Sequence, residues 1–302
     1  DSYGRGTNET HMIGPLSNSM AYTYNAQGQI VTQTYPNQLH ITYEYDSNGY
    51  LNRMLSGTKQ LYKLDEYTGD TYVAILDDDI TSSYLYDLYG RLDEAFFTLN
   101  NGTDKYYQKY EYDQYTGNIT SRILGDISND EETFTYDSVD RLTSWTKDNT
   151  TQDYEYDYRG SISYKSDLGY FSYFNGDPFA VSEIENLSGN IDLPQANVDT
   201  GYNELGMPRM IRSDNYQTTI YYGPDNNRWR SGNSDNVLYF NNYEEVTVNN
   251  VKRTFIYLEN GVLAVSDNTN GTQFYYMATD ILGSVMGIIN GSGNEVFAAT
   301  YD

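Results

Sequence analysis

Short runs of alternating apolar and polar residues recur along this chain, and clusters of Asp, Asn, Ser and Gly separate them. The stretch YLYDLYGRL, at Tyr84–Leu92, is representative. Tyr84 and Tyr86 would lie on one face of a β-strand, because side chains along a strand alternate between its two faces. Asp87 and Gly90 suit the first and fourth positions of a type I turn, where glycine also tolerates positive φ. The stretch therefore predicts a β-hairpin whose last residue begins the returning strand.

The same pattern repeats with a period of about twenty residues, interrupted by irregular insertions. Strong copies lie at Tyr22–Ile30, Tyr43–Leu51, Tyr84–Leu92, Tyr110–Ile119, Phe134–Leu142 and Tyr154–Ile162. Weaker copies lie at Tyr202–Ile211 and Tyr221–Trp229, and a decayed copy surrounds Asp65. The repeat-motif residues, which are predicted to have structural roles, are Tyr43, Tyr45, Asp46, Gly49, Tyr84, Tyr86, Asp87, Gly90, Arg91, Tyr110, Tyr112, Asp113, Tyr136, Asp137, Arg141, Tyr154, Tyr156, Asp157 and Gly160. Arg91 has the least evident role, and we expect it to pair with a neighbouring acidic side chain.

No window has the sustained i, i+3, i+4, i+7 apolar spacing of an amphipathic helix, so the chain is predicted to be all-β. Hairpins in series favour antiparallel β-hairpin repeats coiled into a spiral, shell-like sheet, because sheets twist with a fixed hand. Strands with Tyr on one face and Thr, Glu, Lys or Gln on the other have no strongly apolar face. A tyrosine ring can pack while its hydroxyl still meets water. This predicts a curved wall that is wet on both sides, and not a sandwich with an apolar centre.

The strict repeat lapses near Tyr216, and the remaining sequence is more apolar. Strand-like runs alternate there with turn clusters such as Asn249–Val251, Glu259–Gly261 and Gly291–Asn294. We therefore divide the chain into a hairpin array at residues 1–215 and a final segment at residues 216–302, which is expected to continue the same sheet.

The composition is strongly acidic, with 43 acidic and 18 basic residues and a net charge of −25. Such a surface repels phosphate backbones and anionic lipids, so binding to nucleic acid or to a membrane surface is disfavoured. The charge is typical of a soluble β-protein with many strand edges. The absence of cysteine excludes disulfides and thiolate metal sites. The aromatic fraction of 16% argues against disorder.

The sequence contains no recognisable nucleophile, metal or nucleotide motif, so no catalytic, cofactor-binding or metal-binding residue is predicted. His11 and His40 are interpreted as surface or turn residues. Asp77–Asp79 and Asp126–Glu132 offer several oxygens but lack the glycine of a calcium loop, so both are interpreted as solvated turns. The tyrosines could stack on sugars, although packing within the wall is favoured. Asn-x-Ser/Thr sequons, interpreted as chance occurrences, begin at Asn8, Asn101, Asn118, Asn149, Asn186, Asn270 and Asn290.

The Tyr-x-Tyr-Asp-x-x-Gly-Arg-Leu units between Tyr22 and Ile162 resemble those of the YD-repeat, or RHS-repeat, family. The last part of the chain is similar to the core segment of that family. The similar stretches are Tyr221–Arg230, Asn241–Thr247 and Tyr275–Asp302. The residues that the resemblance marks in the core segment are Gly223, Asp225, Asp280, Leu282, Gly283 and Ser284. Ile281 stands where family members commonly have His, so no polar role is assigned to that position.

The resemblance implies a structural shell segment and not an enzyme. In that family the repeats form a large β-strand cocoon, which encloses or shields a C-terminal toxin in bacterial polymorphic toxins and insecticidal toxin complexes. Animal teneurins have related shells. The implied partners are a toxin or effector cargo domain encoded downstream and the remaining RHS shell, with no cofactor. The implied localisation is secreted or at the cell surface, most often in bacteria.

The sequence stops at Asp302, before the self-cleavage region of the family, so no autoproteolytic site is carried over. Asp1–Arg5 resembles the back half of a repeat and Tyr301–Asp302 the front half of another, so the chain is interpreted as a fragment of a larger cocoon. The alternative function is a cell-surface adhesin or carbohydrate-binding repeat module with glycans as partners. A more distant one is a carboxylate-using hydrolase on a propeller-like scaffold.

Overall fold

The structure is a computed structural model that describes residues 1–13, 16–77, 79–99, 101–125, 131–173, 181–185, 199–213, 216–232, 237–246, 251–257, 263–267 and 271–299. Within these ranges the chain forms 28 β-strands and no helix. The absence of helices follows from the period-two pattern of the sequence.

The first seventeen strands are β1 (Asn8–Ile13), β2 (Leu16–Tyr24), β3 (Ile30–Thr34), β4 (His40–Tyr45), β5 (Leu51–Ser56), β6 (Lys59–Tyr67), β7 (Thr71–Leu76), β8 (Ile80–Tyr86), β9 (Leu92–Leu99), β10 (Asp104–Tyr112), β11 (Ile119–Leu124), β12 (Glu131–Tyr136), β13 (Leu142–Lys147), β14 (Thr150–Tyr156), β15 (Ile162–Lys165), β16 (Gly169–Ser172) and β17 (Glu183–Glu185). The remaining strands are β18 (Asp199–Tyr202), β19 (Pro208–Ser213), β20 (Tyr216–Tyr222), β21 (Arg228–Gly232), β22 (Val237–Phe240), β23 (Tyr243–Val246), β24 (Val251–Tyr257), β25 (Leu263–Asp267), β26 (Gln273–Thr279), β27 (Val285–Asn290) and β28 (Glu295–Ala298).

Strands β1–β17 belong to a 17-stranded sheet and strands β18–β28 to an 11-stranded sheet. The registers between neighbouring strands are antiparallel, for example Tyr43 opposite Met54 and Phe134 opposite Trp145. The predicted all-β, antiparallel fold class is confirmed. The division into residues 1–215 and 216–302, with the second segment continuing the same sheet, stays a prediction. In the described residues β19 and β20 pair on either side of that boundary.

The chain divides into two compact units. Unit 1 comprises residues 1–83, 97–104 and 196–302, and unit 2 comprises residues 84–96 and 105–195.

Unit 1 has an apolar core between strands of the two sheets. Across this core Asn242 Nδ2 donates a hydrogen bond to the Tyr35 hydroxyl at 3.0 Å, and Asn37 Nδ2 donates to Thr254 Oγ1 at 3.1 Å. The fully buried side chains include Met20, Ile41, Met54, Leu61, Phe240, Tyr243, Ile256, Tyr276 and Ile289. The prediction of a wall wet on both sides is therefore wrong for unit 1. In β7, for example, the alternate residues Tyr72, Ala74 and Leu76 form one buried face.

The later strands of unit 2 have a different character. No described hydrophobic residue of β11–β17 is fully buried. The fully buried polar residues of these strands are Ser121 and Glu132. The burial of β11–β17, where Thr, Ser and Tyr predominate, thus agrees with the predicted absence of a strongly apolar face.

Candidate functional site

Each repeat turn is built around one aspartate. Asp87 Oδ1 accepts hydrogen bonds from the backbone N–H groups of Tyr89 at 2.8 Å and Arg91 at 2.9 Å. The Gly90 N–H donates to the Asp87 carbonyl at 2.9 Å, and Gly90 has φ of +75°. Because glycine reaches positive φ without steric cost, it suits this position. The aspartate therefore satisfies backbone donors that the tight turn leaves without a strand partner.

The same geometry recurs at the other motif turns. Asp46, Asp137 and Asp157 each accept two backbone N–H groups through Oδ1. Gly49 and Gly160 have φ of +90° and +91°, whereas Asp140 takes positive φ in the turn that begins at Asp137. Asp113 begins a turn one residue longer, which closes at Gly117.

The motif arginine pairs with the aspartate of its own turn. Arg91 Nε and Nη2 both lie 2.7 Å from Asp87 Oδ2. Arg141 Nε donates to Asp137 Oδ2 at 2.7 Å in the same manner. One carboxylate oxygen thus accepts the backbone N–H groups of the turn, and the other pairs with the guanidinium. Arg91 therefore pairs with an acidic side chain of its own turn.

The guanidinium also contacts the next repeat. The Arg91 guanidinium carbon lies 4.3 Å from the centre of the Tyr112 ring, and that of Arg141 lies 4.6 Å from the Tyr156 ring. These distances place each arginine over the second tyrosine of the following Tyr-x-Tyr-Asp unit, where a cation is attracted to the ring. The turn of one repeat is thereby joined to the strand of the next.

The second tyrosine of each unit completes this contact through its hydroxyl. Tyr112 donates a hydrogen bond to the Leu92 carbonyl at 2.6 Å, and Tyr156 donates to the Leu142 carbonyl at 2.8 Å. The equivalent pairs are Tyr24 to Gly6, Tyr45 to Ile30, Tyr136 to Ile119, Tyr173 to Ile162 and Tyr222 to Pro208. We call this series of aspartate, arginine and tyrosine contacts the repeat ladder.

A β-bulge accompanies the second tyrosine. The register shifts between Glu44 and Tyr45, and again between Glu111 and Tyr112. Bulges bend a strand and redirect a side chain. Here the redirected ring meets the arginine and the carbonyl of the preceding repeat.

The first tyrosine of each unit is more deeply packed. Tyr84 and Tyr110 are buried, and the Tyr110 hydroxyl donates to Gln108 Oε1 at 2.8 Å. The Tyr43 hydroxyl donates to Gln33 Oε1 at 3.0 Å, and the Tyr154 hydroxyl donates to Gln152 Oε1 at 3.0 Å. Burial raises the pKa of the Tyr84 phenol, so it stays neutral and serves as packing.

The core-segment residues form the same kind of turn. Asp280 Oδ1 accepts the backbone N–H groups of Leu282 at 2.9 Å and Ser284 at 2.7 Å, and Gly283 has φ of +85°. Leu282 is largely exposed in this turn, and Ile281 is exposed to a smaller extent.

The turn at Gly223 is a variant. Gly223 takes the place of the aspartate, and Asn226 takes positive φ. A Cβ atom on Gly223 would lie 2.0 Å from Trp229 Cε2, so the indole requires glycine there. Asp225 accepts the backbone N–H and the side-chain amide of Asn227, both at 3.0 Å.

The comparisons with known proteins point to one family. The RHS Repeat family model matches residues 22–58, which contain the turn at Asp46 and the Tyr45 contact of the ladder. The chain carries an RHS repeat. No curated protein matches it.

Solved structures extend the likeness to the fold of nearly the whole RHS-repeat chain. It is similar to a complex of TcdB2, TccC3 and Cdc42 with a TM-score of 0.74 and 18% identity, over 96% of this chain and 18% of that one. It is also similar to a variant Photorhabdus luminescens Tc holotoxin pore with a TM-score of 0.72 and 17% identity, over 95% of this chain and 18% of that one. The chain therefore spans less than a fifth of the length of these relatives.

Three residues that the sequence analysis interpreted as surface or turn residues are buried or largely buried in the structure. His11 is largely buried, with its ring 4.2 Å from that of Phe240 and 4.9 Å from that of Trp229, so it is not a surface residue. Asp77 is buried and paired with Lys59, so it does not belong to a solvated turn. Glu132 is buried in β12 and not in a turn. Each is held by partners that lie far from it in sequence.

Other interpretations meet the structure only in part. His40 is exposed, and its Nδ1 lies 2.9 Å from Thr34 Oγ1. Asp78 and residues 126–130 lie outside the described residues. No group of three His, Cys, Asp or Glu side chains in the described ranges could hold a metal ion. The described residues contain no helix long and apolar enough to cross a membrane. The functional role of the motif residues stays a prediction.

Glu132 is the buried group that sequence reasoning missed. Its Oε2 accepts hydrogen bonds from Arg122 Nε at 2.7 Å and Trp145 Nε1 at 2.9 Å, and its Oε1 accepts one from Lys147 Nζ at 3.3 Å. One sequence feature could have identified it. Glu132 lies two residues before Phe134, so the two side chains share one face of β12.

Loss of one ladder hydroxyl is expected to destabilise the protein measurably. Tyr156→Phe should lower the free energy of unfolding by about 1 kcal/mol, because the Leu142 carbonyl loses its donor. Urea denaturation followed by circular dichroism measures the effect. The control is Tyr158→Phe, because Tyr158 is almost completely exposed at a turn. Equal stability of the two variants would contradict the assigned role of the hydroxyl.

Acid is expected to weaken the turns. The backbone N–H and the guanidinium of Arg141 hydrogen bond to Asp137 and lower the pKa of its carboxyl. Because the folded pKa lies below the unfolded value of about 3.9, the stabilisation is complete above that value and is lost as the pH falls through the folded pKa. Asp137→Asn should therefore lower Tm at about pH 7 and have a smaller effect at about pH 2.5.

Thermal melting at the two pH values provides the measurement. Glu155→Gln, at an exposed position of β14, is the matched control for removing one carboxylate. A Tm difference for Asp137→Asn that is the same at both pH values would show that the ionised carboxylate is not what stabilises the turn.

Proposed function

We propose that this chain is a shell segment of an RHS-repeat protein and encloses a toxin or effector domain encoded downstream. The observation that carries the proposal is the repeat ladder. It joins successive hairpins through contacts that recur along the chain, and in β11–β17 it does so where no described hydrophobic residue is fully buried.

The likeness of fold to complexes that contain TccC3 supports this proposal. A wall whose side chains are tied to one another by hydrogen bonds suits a container, because few groups are left to bind small molecules. On this proposal the protein acts without catalysis, and it is secreted or displayed at the cell surface, most often of bacteria.

A protection experiment tests the proposal. The gene that encodes these residues is sequenced in the downstream direction. Any further domain that it encodes is then expressed in two forms, one with the RHS-repeat segment and one without it. Enclosure predicts that a protease cleaves the domain much more slowly when the segment is present. Equal cleavage rates, or a gene without a further domain, would refute the proposal.

The alternative is a cell-surface adhesin or carbohydrate-binding module. The observation that favours it is the number of tyrosines at turns with well-exposed rings, such as Tyr89, Tyr115 and Tyr158. Binding of the purified chain to a glycan array, abolished by Ser at these three positions, would support this alternative. An array without signal would eliminate it.

A further inference from the structure

The turn between β20 and β21 departs from the repeat pattern in its charged residues. The Gly223 N–H closes it by donating to the Asn227 carbonyl at 2.9 Å, whereas a repeat turn is closed by the Asp87 N–H and the Arg91 carbonyl. Glycine and asparagine therefore replace the aspartate and arginine that form the ion pair of a repeat turn. The next residue, Arg228, begins β21 at a position where the strong repeats carry Leu or Ile.

The Arg228 guanidinium stacks on an aromatic ring and has no ion-pair partner among the described residues. Its carbon atom lies 4.0 Å from the centre of the Tyr239 ring, which is a cation–π contact. In the repeat turns, by contrast, Arg91 and Arg141 are paired with aspartates. Because a guanidinium has five N–H donors, those of Arg228 are available to a ligand.

These residues line one cavity of unit 1, which has a volume of about 260 Å³. Its polar groups come from Asp225, Asn227, Arg228 and Asn241, and its aromatic rings include those of Trp229 and Tyr239. The two carboxylate oxygens of Asp225 each accept one hydrogen bond from Asn227, at 3.0 Å. Each of these oxygens can accept a further one. The cavity therefore offers both donors and acceptors.

The aromatic wall of the cavity is held in place by its neighbours. The Trp229 ring lies 4.9 Å from that of His11, which in turn lies 4.2 Å from the fully buried Phe240 ring. The Tyr239 hydroxyl lies 2.9 Å from Ser231 Oγ, within hydrogen-bond distance. Rings that are already fixed lower the cost of ordering side chains when a ligand binds.

The chemistry of the cavity suits a neutral ligand that is rich in hydroxyl groups. Its wall carries one arginine and one carboxylate, and its two amides can both donate and accept hydrogen bonds. Each hydroxyl of a sugar also donates and accepts, and the C–H face of a sugar ring can pack against an aromatic ring. The volume is below the about 300 Å³ of small drug-binding pockets, which favours a single ring. Asp225 and the net charge of −25 disfavour an anion.

We infer that this cavity binds one sugar ring of a neutral glycan. Arg228 donates to hydroxyls of the ring, Asp225 accepts from others, and Trp229 packs against its C–H face. The inference goes beyond the proposed shell function, because it concerns a cavity of unit 1 and requires no cargo. Enclosure can therefore hold without it, and the reverse is also true. It is also independent of the exposed turn tyrosines named above, which belong to unit 2.

Nuclear magnetic resonance of the ¹⁵N-labelled full chain tests the inference. The two tryptophans give two indole N–H resonances, and a Trp145→Phe variant identifies that of Trp229. The wild-type chain is titrated with the methyl glycosides of glucose, galactose, mannose and N-acetylglucosamine. We expect at least one of them to shift the Trp229 resonance, with a dissociation constant in the millimolar range because one small ring makes few contacts. The Trp145 resonance, which reports on unit 2, should not move.

Arg228→Leu is the decisive variant. It restores the residue type that the repeats carry at this position, as at Leu92, so the circular dichroism spectrum should be unchanged. The dissociation constant should rise at least about tenfold, because hydrogen bonds from a charged group to the ligand are lost. Arg209→Leu is the matched control, since it removes an exposed arginine of β19 that does not line the cavity. Its dissociation constant should equal that of the wild type.

Three results would overturn the inference. The first is a Trp229 resonance that none of the four glycosides moves at its limit of solubility. The second is a shift that Arg228→Leu leaves unchanged, which would place the ligand outside this cavity. The third is a shift caused by N-acetylneuraminic acid or inorganic phosphate and by none of the neutral glycosides, because the cavity would then be an anion site.

Discussion

Replacing Phe240 with Ala should lower the free energy of unfolding of unit 1 by about 4 kcal/mol. Phe240 is fully buried at the end of β22, and its ring lies 4.2 Å from that of His11 in β1. The substitution removes a large apolar surface and leaves a cavity between strands of the two sheets, which the surrounding strands can fill only in part. The effect is a large fraction of the stability of an ordinary domain.

The measurement uses one of the two tryptophans of the chain. In a Trp145→Phe background, Trp229 is the sole tryptophan, and its ring lies 4.9 Å from that of His11. Urea titration of its fluorescence then reports on the core of unit 1. Phe297→Ala is the control, because Phe297 is half exposed in β28 and its loss should cost less than about 1 kcal/mol. Similar losses for both variants would contradict the described core.

Glu132→Ala should destabilise unit 2 by about 3 kcal/mol. The Glu132 carboxylate is buried and accepts hydrogen bonds from Arg122, Trp145 and Lys147. Its removal leaves the largely buried Arg122 guanidinium without its carboxylate, and desolvating an unpaired charge is expensive. Removal of one partner of such a pair therefore lowers the free energy of unfolding by more than the intact pair contributes to it.

A neighbouring residue provides the control. Glu131 precedes Glu132 in β12 and lies on the exposed, opposite face of that strand. Glu131→Ala should change the free energy of unfolding by no more than about 0.5 kcal/mol. Fluorescence of Trp145 in a Trp229→Phe background follows the urea transition. Wild-type stability in Glu132→Ala would show that the buried network contributes nothing to unit 2.

Local structure could be predicted from the sequence because its causes are local. Asp87 and Gly90 specify their turn through contacts within four residues, and alternation of Tyr84 and Tyr86 specifies the strand before it. The resemblance to the RHS-repeat family rested on the same short patterns. The all-β fold followed from their repetition.

The sequence does not show which strands pack face to face. The wrong predictions about which residues are buried follow from that. Met54 and Ile256 are buried because unit 1 brings strands of two sheets together, whereas their own hairpins look half-polar. The ladder hydrogen bond of Tyr112 reaches Leu92, twenty residues earlier, and its register depends on a bulge.

The repeat ladder also bears on how a protein of this kind can change length. A tyrosine hydroxyl of one repeat donates to a backbone carbonyl of the preceding repeat, as Tyr112 does to Leu92 and Tyr156 does to Leu142. In these two pairs a turn arginine of the preceding repeat also lies over the tyrosine ring. The hydrogen bond from tyrosine to carbonyl requires no particular side chain from the preceding repeat, so it can form between any two repeats of this kind. Because stability in such arrays is a sum of units and nearest-neighbour contacts, duplication or deletion of a whole repeat preserves nearly all contacts between repeats. Gene duplication can therefore enlarge such a wall in steps without a new set of contacts at each step.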